Sequence, residues 1–429
     1  MYFFSLKPIL MFGAMVVVTS ACFAQEQEAL TLADAVAQVR AQNPSLAASR
    51  FSAQAAAQMP TQAYSLADPV LTLGASALPT DTFSTKQEAM TQLSLGISQA
   101  FPFPGKLGDK VESESYMAEA IADGVDEQVL QLISQVKISW WHVLYLDKAL
   151  ETVAHNQQLL RQLIQIAESK YKVGKGLQQD VLLAQMELSK LLDEKIQLDA
   201  KRQMEVIRLN TLFNRPANQA LLLSSMVDAH LPELGDTETL ITTALRSRPR
   251  LTQQDKLISA ANARVSLADK AYYPDFKLGA SYGWRGEDAV TGIDRPDLAS
   301  LSLTMTMPFF SSGQHDAELQ QRQAEKMRES FKYQDVQNAV VADISRAITQ
   351  YEKSKAQVSL LQSGLIPQAK QTVASMFAAY QVNKVDFLNL VRAQVTLYNY
   401  ETQYWKVFAE ANQALAQLDA AIGKDVPND

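Results

Sequence analysis

The groups best suited to chemistry are few. Four histidines, His142, His155, His230 and His315, and one cysteine, Cys22, supply every imidazole and the only thiol. No two of them stand at the short spacings from which metal sites are built. "PGKLGDK" at 104–110 and "VGKGL" at 173–177 are rich in Gly and Lys, yet neither has the GxxxxGK[ST] spacing that cradles a phosphate. The first reads as a strand-to-helix corner and the second as a turn between helices. Met305 and Met307 alternate with Thr on an apolar face, where lipid contact is the expected role rather than soft-metal binding. Trp140 and Trp141 fall in a helical pattern and are expected to pack against neighbouring helices. No nucleophile, general base or ligand cluster emerges, so the chain is not expected to be an enzyme or to hold a cofactor or metal.

The polar residues that do stand out lie in a phrase written twice, "YKVGKGLQQDVLLAQMEL" at 171–188 and "YQVNKVDFLNLVRAQVTL" at 380–397. Each passes from a helical pattern through a Gly/Asn–Lys interruption into a second helical pattern. The first phrase carries Val173, Gly174, Lys175, Gly176 and Asp180; the second carries Tyr380, Val382, Asn383, Lys384, Asp386 and Asn389. The repeat reaches further. Asn43-Pro44 answers Arg248-Pro249, and "LTLGAS" at 71–76 answers "FKLGAS" at 276–281, both at an offset of 205. "FPF" at 101–103 answers "MPF" at 307–309, and Ile138, Ser139 and Tyr145 answer Ile344, Ser345 and Tyr351, at an offset of 206. A near-constant offset over that distance is a duplication. The slip to 209 at the paired phrases falls between Tyr351 and Tyr380, where Gly364 and Pro367 would permit a local helix break.

Each copy, about 25–213 and 238–422, has one internal order. Strand candidates come first, at about 70–79 and 91–101, then at about 275–286 and 298–308. Leu71, Leu73, Ala75 and Ala77 alternate with Thr72, Gly74 and Ser76; Leu93, Leu95 and Ile97 alternate with Ser94, Gly96 and Ser98. Such period-two patterning, apolar on one face and small and polar on the other, suits a barrel strand between lipid and water. A soluble sandwich would write the same alternation. Long helical hairpins follow, at 106–213 with its tip near 171–180, and at 314–422 with its tip near 380–389. At 1.5 Å per residue, Lys106 to Tyr171 would reach about 100 Å, deeper than a compact domain. Residues 214–237 link the copies and, with the tail 423–429, are expected to form a belt around the helices.

Composition agrees with large, mostly helical order: 429 residues hold only 16 Gly and 15 Pro, and 47% are hydrophobic. A net charge of −7 and no Lys/Arg block argue against nucleic acid as a partner. Lys7 followed by "ILMFGAMVVV" and "ACFAQEQE" has the order of a secretory signal peptide, expected to span 1–24. Cys22 has two readings: it leaves with the signal, or it becomes the acylated N-terminus of a lipoprotein, although Thr19 stands where such signals usually place Leu. Beyond residue 30 no run approaches the roughly 18 apolar residues of a membrane-spanning helix. Membrane entry would be by strands. Four strands cannot close a barrel, since even small ones have about eight, and open edges are intolerable in lipid. Three copies would give twelve strands and a twelve-helix cylinder beneath them.

With paired strands, a long hairpin in each copy, "SQAFPFPGKL" at 98–107 and the two Tyr-x-Val-Gly/Asn tips, the chain resembles the TolC-like outer-membrane efflux family over essentially its whole mature length. The resemblance implies a mainly α fold with a small membrane β-barrel: a homotrimer whose twelve-stranded barrel continues into an α-helical periplasmic tunnel in the outer membrane of a Gram-negative bacterium. It further implies an exit duct that works with a periplasmic adaptor and an inner-membrane transporter of the resistance-nodulation-division type. Val173, Gly174, Lys175, Gly176, Val382 and Asn383 would be the adaptor-contact turns. Asp180 and Tyr380 stand at the family's gate positions, with Asp386 at the entrance and Asn389 as the counterpart of Asp180. The family usually offers an Arg just after the second turn, where this chain has Lys384 and Val385, and Lys384 is the expected substitute. Asp180 has a second reading, as a cap of the returning helix. The short chain and the "FPFPGKL" corner resemble the heavy-metal branch, with multidrug export and type I secretion as the other cargo readings. The competing class is a periplasmic coiled-coil spacer or adaptor, against which the lipid-type strands argue.

Overall fold

A computed structural model describes residues 29–224 and 230–424. The expected signal peptide and Cys22, residues 225–229 and the end of the tail from 425 lie outside the described residues. Three short helices open the described chain, α1 (Leu32–Gln42), α2 (Pro44–Ala56) and α3 (Met59–Tyr64). Strands β1 (Val70–Ser76) and β2 (Gln92–Phe101) follow, then the long α4 (Lys106–Lys172) and the returning α5 (Gln178–Leu212). The second copy repeats the order: α6 (Thr237–Ser247), α7 (Pro249–Asp269), β3 (Phe276–Arg285), β4 (Leu298–Met305), α8 (Ser312–Leu360), α9 (Ile366–Gln381) and α10 (Phe387–Ala421).

The four strands form one antiparallel sheet in the order β1-β2-β3-β4, so β2 and β3 join the two copies. Register keeps like residues on one face. Leu71, Ile97, Ala280 and Leu301 lie across from one another, and Thr72, Gly96, Ser281 and Ser300 form the adjacent row on the other face. The apolar face lacks cover within the protomer: Leu301 is 86% exposed and Leu73 76%. β1 stops at Ser76, short of the expected 79, because Ala77 takes a left-handed φ of 53°. β4 stops at Met305 and not at 308, since Pro308 has no N–H to pair and Met307 lies beyond the ladder. The exit corner is pinned across the repeat: Phe103 N–H and Lys106 Nζ both donate to Asp275 Oδ1 at 2.8 Å, Phe103 stacks on Tyr273, and Gly105 supplies a φ of 94°.

Below the sheet, α4 has 67 residues, which corresponds to about 100 Å. It packs along α1, α2, α3, α5, α7 and α10; α8 packs on α7 and α10. Between α8 and α9 the helix widens into a π-helical segment, Leu361–Leu365, in the interval where the second copy is longer. Pro367 lacks the N–H that would bond the Ser363 carbonyl, consistent with a local loss of α geometry there. Among the described residues no helix is long and apolar enough to cross a membrane.

The helices α1–α3 went unread in the sequence, and with them the meaning of Asn43-Pro44 and Arg248-Pro249. Both dipeptides are joints. Asn43 caps α2 by accepting Leu46 N–H, while its Nδ2 donates to the Leu212 carbonyl at the C-terminal end of α5. Arg248 precedes α7 and donates to the Ala420 carbonyl at the end of α10. Each joint thus sets the positive end of one helix dipole against the negative end of another, and at the first joint the Asn43 amide satisfies the Leu212 carbonyl at the end of α5. Arg248 also forms a two-pronged pair with Glu127 of α4, at 2.9 and 2.7 Å, with both side chains only 8% exposed. Around the joints lies a core of Trp140, Trp141, Phe213, Tyr351 and Phe408, onto which the linker residues Leu221 and Leu231 pack. Tyr351 Oη donates to the Pro232 carbonyl, fixing the linker to α8.

The buried guanidinium and carboxylate depend on each other. Arg248→Leu leaves Glu127 buried and uncompensated, at an expected cost of about 3–5 kcal/mol. Thermal scans followed by helical circular dichroism should show a clear drop in midpoint for that variant. The double replacement Arg248→Leu, Glu127→Leu should recover most of the loss.

Candidate functional site

The repeated phrases form the tips of two helical hairpins, and their local chemistry is shared. α4 ends with Gly174 at φ 69°, the Gly174 N–H bonding the Tyr171 carbonyl and Lys175 N–H the Lys170 carbonyl. α9 ends with Asn383 at φ 59°, its N–H on the Tyr380 carbonyl and Lys384 N–H on that of Ala379. This is the Schellman closure, whose left-handed residue is usually Gly and sometimes Asn. Asn214 and Gly423 close α5 and α10 in the same way. The alternation of Gly and Asn in the two phrases therefore follows from one backbone requirement.

The side chains differ between the tips. Asp180 is the third residue of α5 and partly buried. Burial pushes its carboxyl above the ordinary aspartate value, and the nearby Asp386 charge adds to this against the opposing Leu177 N–H and Lys170. Tyr380 is 5% exposed and packs at a tilt against Phe387, the first residue of α10, with ring centroids 5.2 Å apart. Burial and then the charge of Asp180 raise its phenol. Its hydroxyl has no hydrogen-bond partner among the described residues. The protomer thus brings Asp180, Tyr380 and Asp386 into one electrostatic neighbourhood. Asp386 itself is the exposed N-cap residue of α10 without a side-chain cap bond, and Asn389 lies exposed in the first turn. Val173 and Val382 crown the turns, 67% and 63% exposed.

Lys384, the expected replacement for an Arg, is exposed and forms no ion pair among the described residues. The cation at this site is one that the sequence reading passed over. Lys170, in the last turn of α4, donates to the Tyr380 carbonyl and to Asn383 Oδ1 at 2.6 Å, and lies 4.0 Å from the centroid of the Tyr380 ring. Its only sequence signal is a place in the basic last turn "SKYK", which any helix C-terminus favours. Elsewhere, Trp140 and Trp141 pack edge to face in the core as expected. No group of three or more His, Cys, Asp or Glu side chains able to hold a metal occurs among the described residues.

The family model for "Outer membrane efflux protein" matches residues 35–215 and 240–424, one block per copy. The cobalt-zinc-cadmium resistance protein CzcC of Cupriavidus metallidurans is 22% identical over 344 residues, covering 80% of this chain and 79% of that protein. The pyoverdine export outer membrane protein OpmQ of Pseudomonas aeruginosa is 22% identical over 343 residues, covering 79% and 70%. The match to an uncharacterized protein of Haemophilus influenzae, 20% identical, spans 56% of this chain and 55% of that one. Among solved structures, the outer-membrane channel OprN superposes with a TM-score of 0.78 at 19% identity, covering 91% of this chain and 89% of that one. CusC, solved in a study of its folding and transmembrane channel formation, gives 0.78 at 16% identity, covering 92% of each chain. The two channels share this chain's fold, and the matched block in each copy shows that the chain belongs to the outer membrane efflux protein family and stands in the outer membrane.

Proposed function

We propose that three copies of this chain assemble into the passive exit duct of a tripartite efflux system, receiving cargo from a periplasmic adaptor and an inner-membrane transporter of the resistance-nodulation-division type. One observation carries this reading: a four-stranded sheet with an uncovered apolar face and two open edges stands on helices about 100 Å long. Lipid can cover the face, but it cannot pair the edges. Pairing β4 of one copy with β1 of the next removes them, and three copies give a twelve-stranded closure within the known range of outer-membrane barrels. An exposed apolar stripe on α5, Leu182, Met186, Ile196 and Met204, supports helix packing between copies as well. The turns Val173–Gly176 and Val382–Asn383 are the surfaces offered to the adaptor, and residues 214–224 and 230–237 the belt.

The tips form the gate, with Asp180, Tyr380, Lys384, Asp386 and Asn389 at the entrance. For cargo, divalent heavy-metal cations are the first reading, supported by the match to CzcC across most of both chains. Export of a small organic molecule is the second, favoured by the equal identity to OpmQ. Catalysis has no role in either.

Single-particle electron microscopy of the detergent-purified protein should show an elongated trimer; a compact monomer would overturn the assembly. In planar bilayers, Asp180→Ala with Tyr380→Phe should raise single-channel conductance, whereas Tyr380→Phe alone should leave protomer stability unchanged. Acidification should act the opposite way. The ionised form of Asp180 is disfavoured in the folded tip, so tip stability rises as pH falls from its raised folded value toward 3.8. Conductance should fall across that window, and Asp180→Asn should abolish the dependence. Gene deletion followed by growth on metal salts, dyes and antibiotics ranks the cargo readings: metal sensitivity alone supports the first, and drug sensitivity with unchanged metal tolerance overturns it.

A further inference from the structure

We infer that Lys170 and Asn383 form a latch that fastens the second hairpin tip to the first within each protomer. The backbone at 383 asks only for a residue that tolerates a left-handed φ, and Gly174 meets the same demand in the first tip. Asn383 adds what Gly cannot, a side-chain oxygen 2.6 Å from the Lys170 ammonium. The ammonium also bonds the Tyr380 carbonyl and lies over the Tyr380 ring at 4.0 Å. Lys170 therefore engages both flanks of the second turn, through charge-assisted hydrogen bonds and a cation–π contact. The latch is one-sided. Under the offset of 209, Ala379 stands opposite Lys170 and Gly174 opposite Asn383, so the second copy offers no reciprocal cation and the first no reciprocal acceptor.

The functional consequence rests on the gate reading proposed above, while the coupling between tips does not. Where the resemblance leads one to expect an Arg just past the second turn, this chain supplies the cation from the opposite tip. Holding the Tyr380 carbonyl and ring fixes that residue beside Asp180, so Lys170 acts as a positioning residue for the gate.

Lys170→Met keeps the apolar stem and removes the ammonium; Asn383→Gly keeps the left-handed turn and removes the acceptor. Hydrogen exchange by mass spectrometry on the full assembly in detergent would compare peptides covering 380–386 and 171–177. Each single variant should speed exchange in 380–386 by about tenfold, the scale of one charge-assisted hydrogen bond. The double variant should be no faster than Lys170→Met alone, since that variant already removes the Asn383 bond together with the Tyr380 contacts, and 171–177 should not change. Unchanged exchange in both single variants, or fully additive effects in the double, would overturn the latch. Single-channel conductance separates the two proposals: faster exchange with higher conductance supports both, and faster exchange with unchanged conductance retains the latch while removing the gate reading.

Discussion

Everything in this protein answers to the unpaired backbone of two strand edges. β1 and β4 each present a row of N–H and C=O groups along a sheet whose apolar face is made for hydrocarbon, and hydrocarbon offers those groups nothing. A chain that contributes four strands therefore carries an assembly requirement in its topology. The order β1-β2-β3-β4 makes the requirement simple, because the two copies have already paired internally through β2 and β3. Only the outermost edges remain, and they are antiparallel partners in waiting.

The sheet sets the task of the helices. Where β2 ends, the corner hands the chain to α4 with few degrees of freedom. Pro102 and Pro104 end the ladder, Gly105 turns the chain, and Asp275 receives both Phe103 N–H and Lys106 Nζ. From there α4 runs unbroken to its tip, and its partners are laid along it in pieces.

Much of this was legible because repetition and period two are strong signals. The β2 and β4 faces, the 67-residue helix and the tips at Gly174 and Asn383 could be read from alternation, absence of proline and the paired phrases. What escaped reading was information carried between distant residues. Asn43 and Arg248 mark the repeat in sequence, but their bonds to Leu212 and Ala420 depend on which helix ends meet in space. Lys170 looks like any basic residue at a helix C-terminus, and only the fold brings it to Asn383. The short strand ends had local causes, Ala77 in a left-handed conformation and Pro308 without a donor.

The joints at Asn43 and Arg248 divide the protomer mechanically. Along α4, and along α8 into α9, the load path between barrel and tip is covalent. In the columns made by α2 with α5 and by α7 with α10 it crosses a gap bridged by side chains: one amide at the first, and one guanidinium tied to Glu127 and the Ala420 carbonyl at the second. Twist applied at the tips is thus transmitted rigidly by half of the columns and through replaceable fasteners by the other half. The second fastener, ionic and buried, is the stiffer of the two, so the compliance of the body is unequal between its copies even though their sequences descend from one pattern.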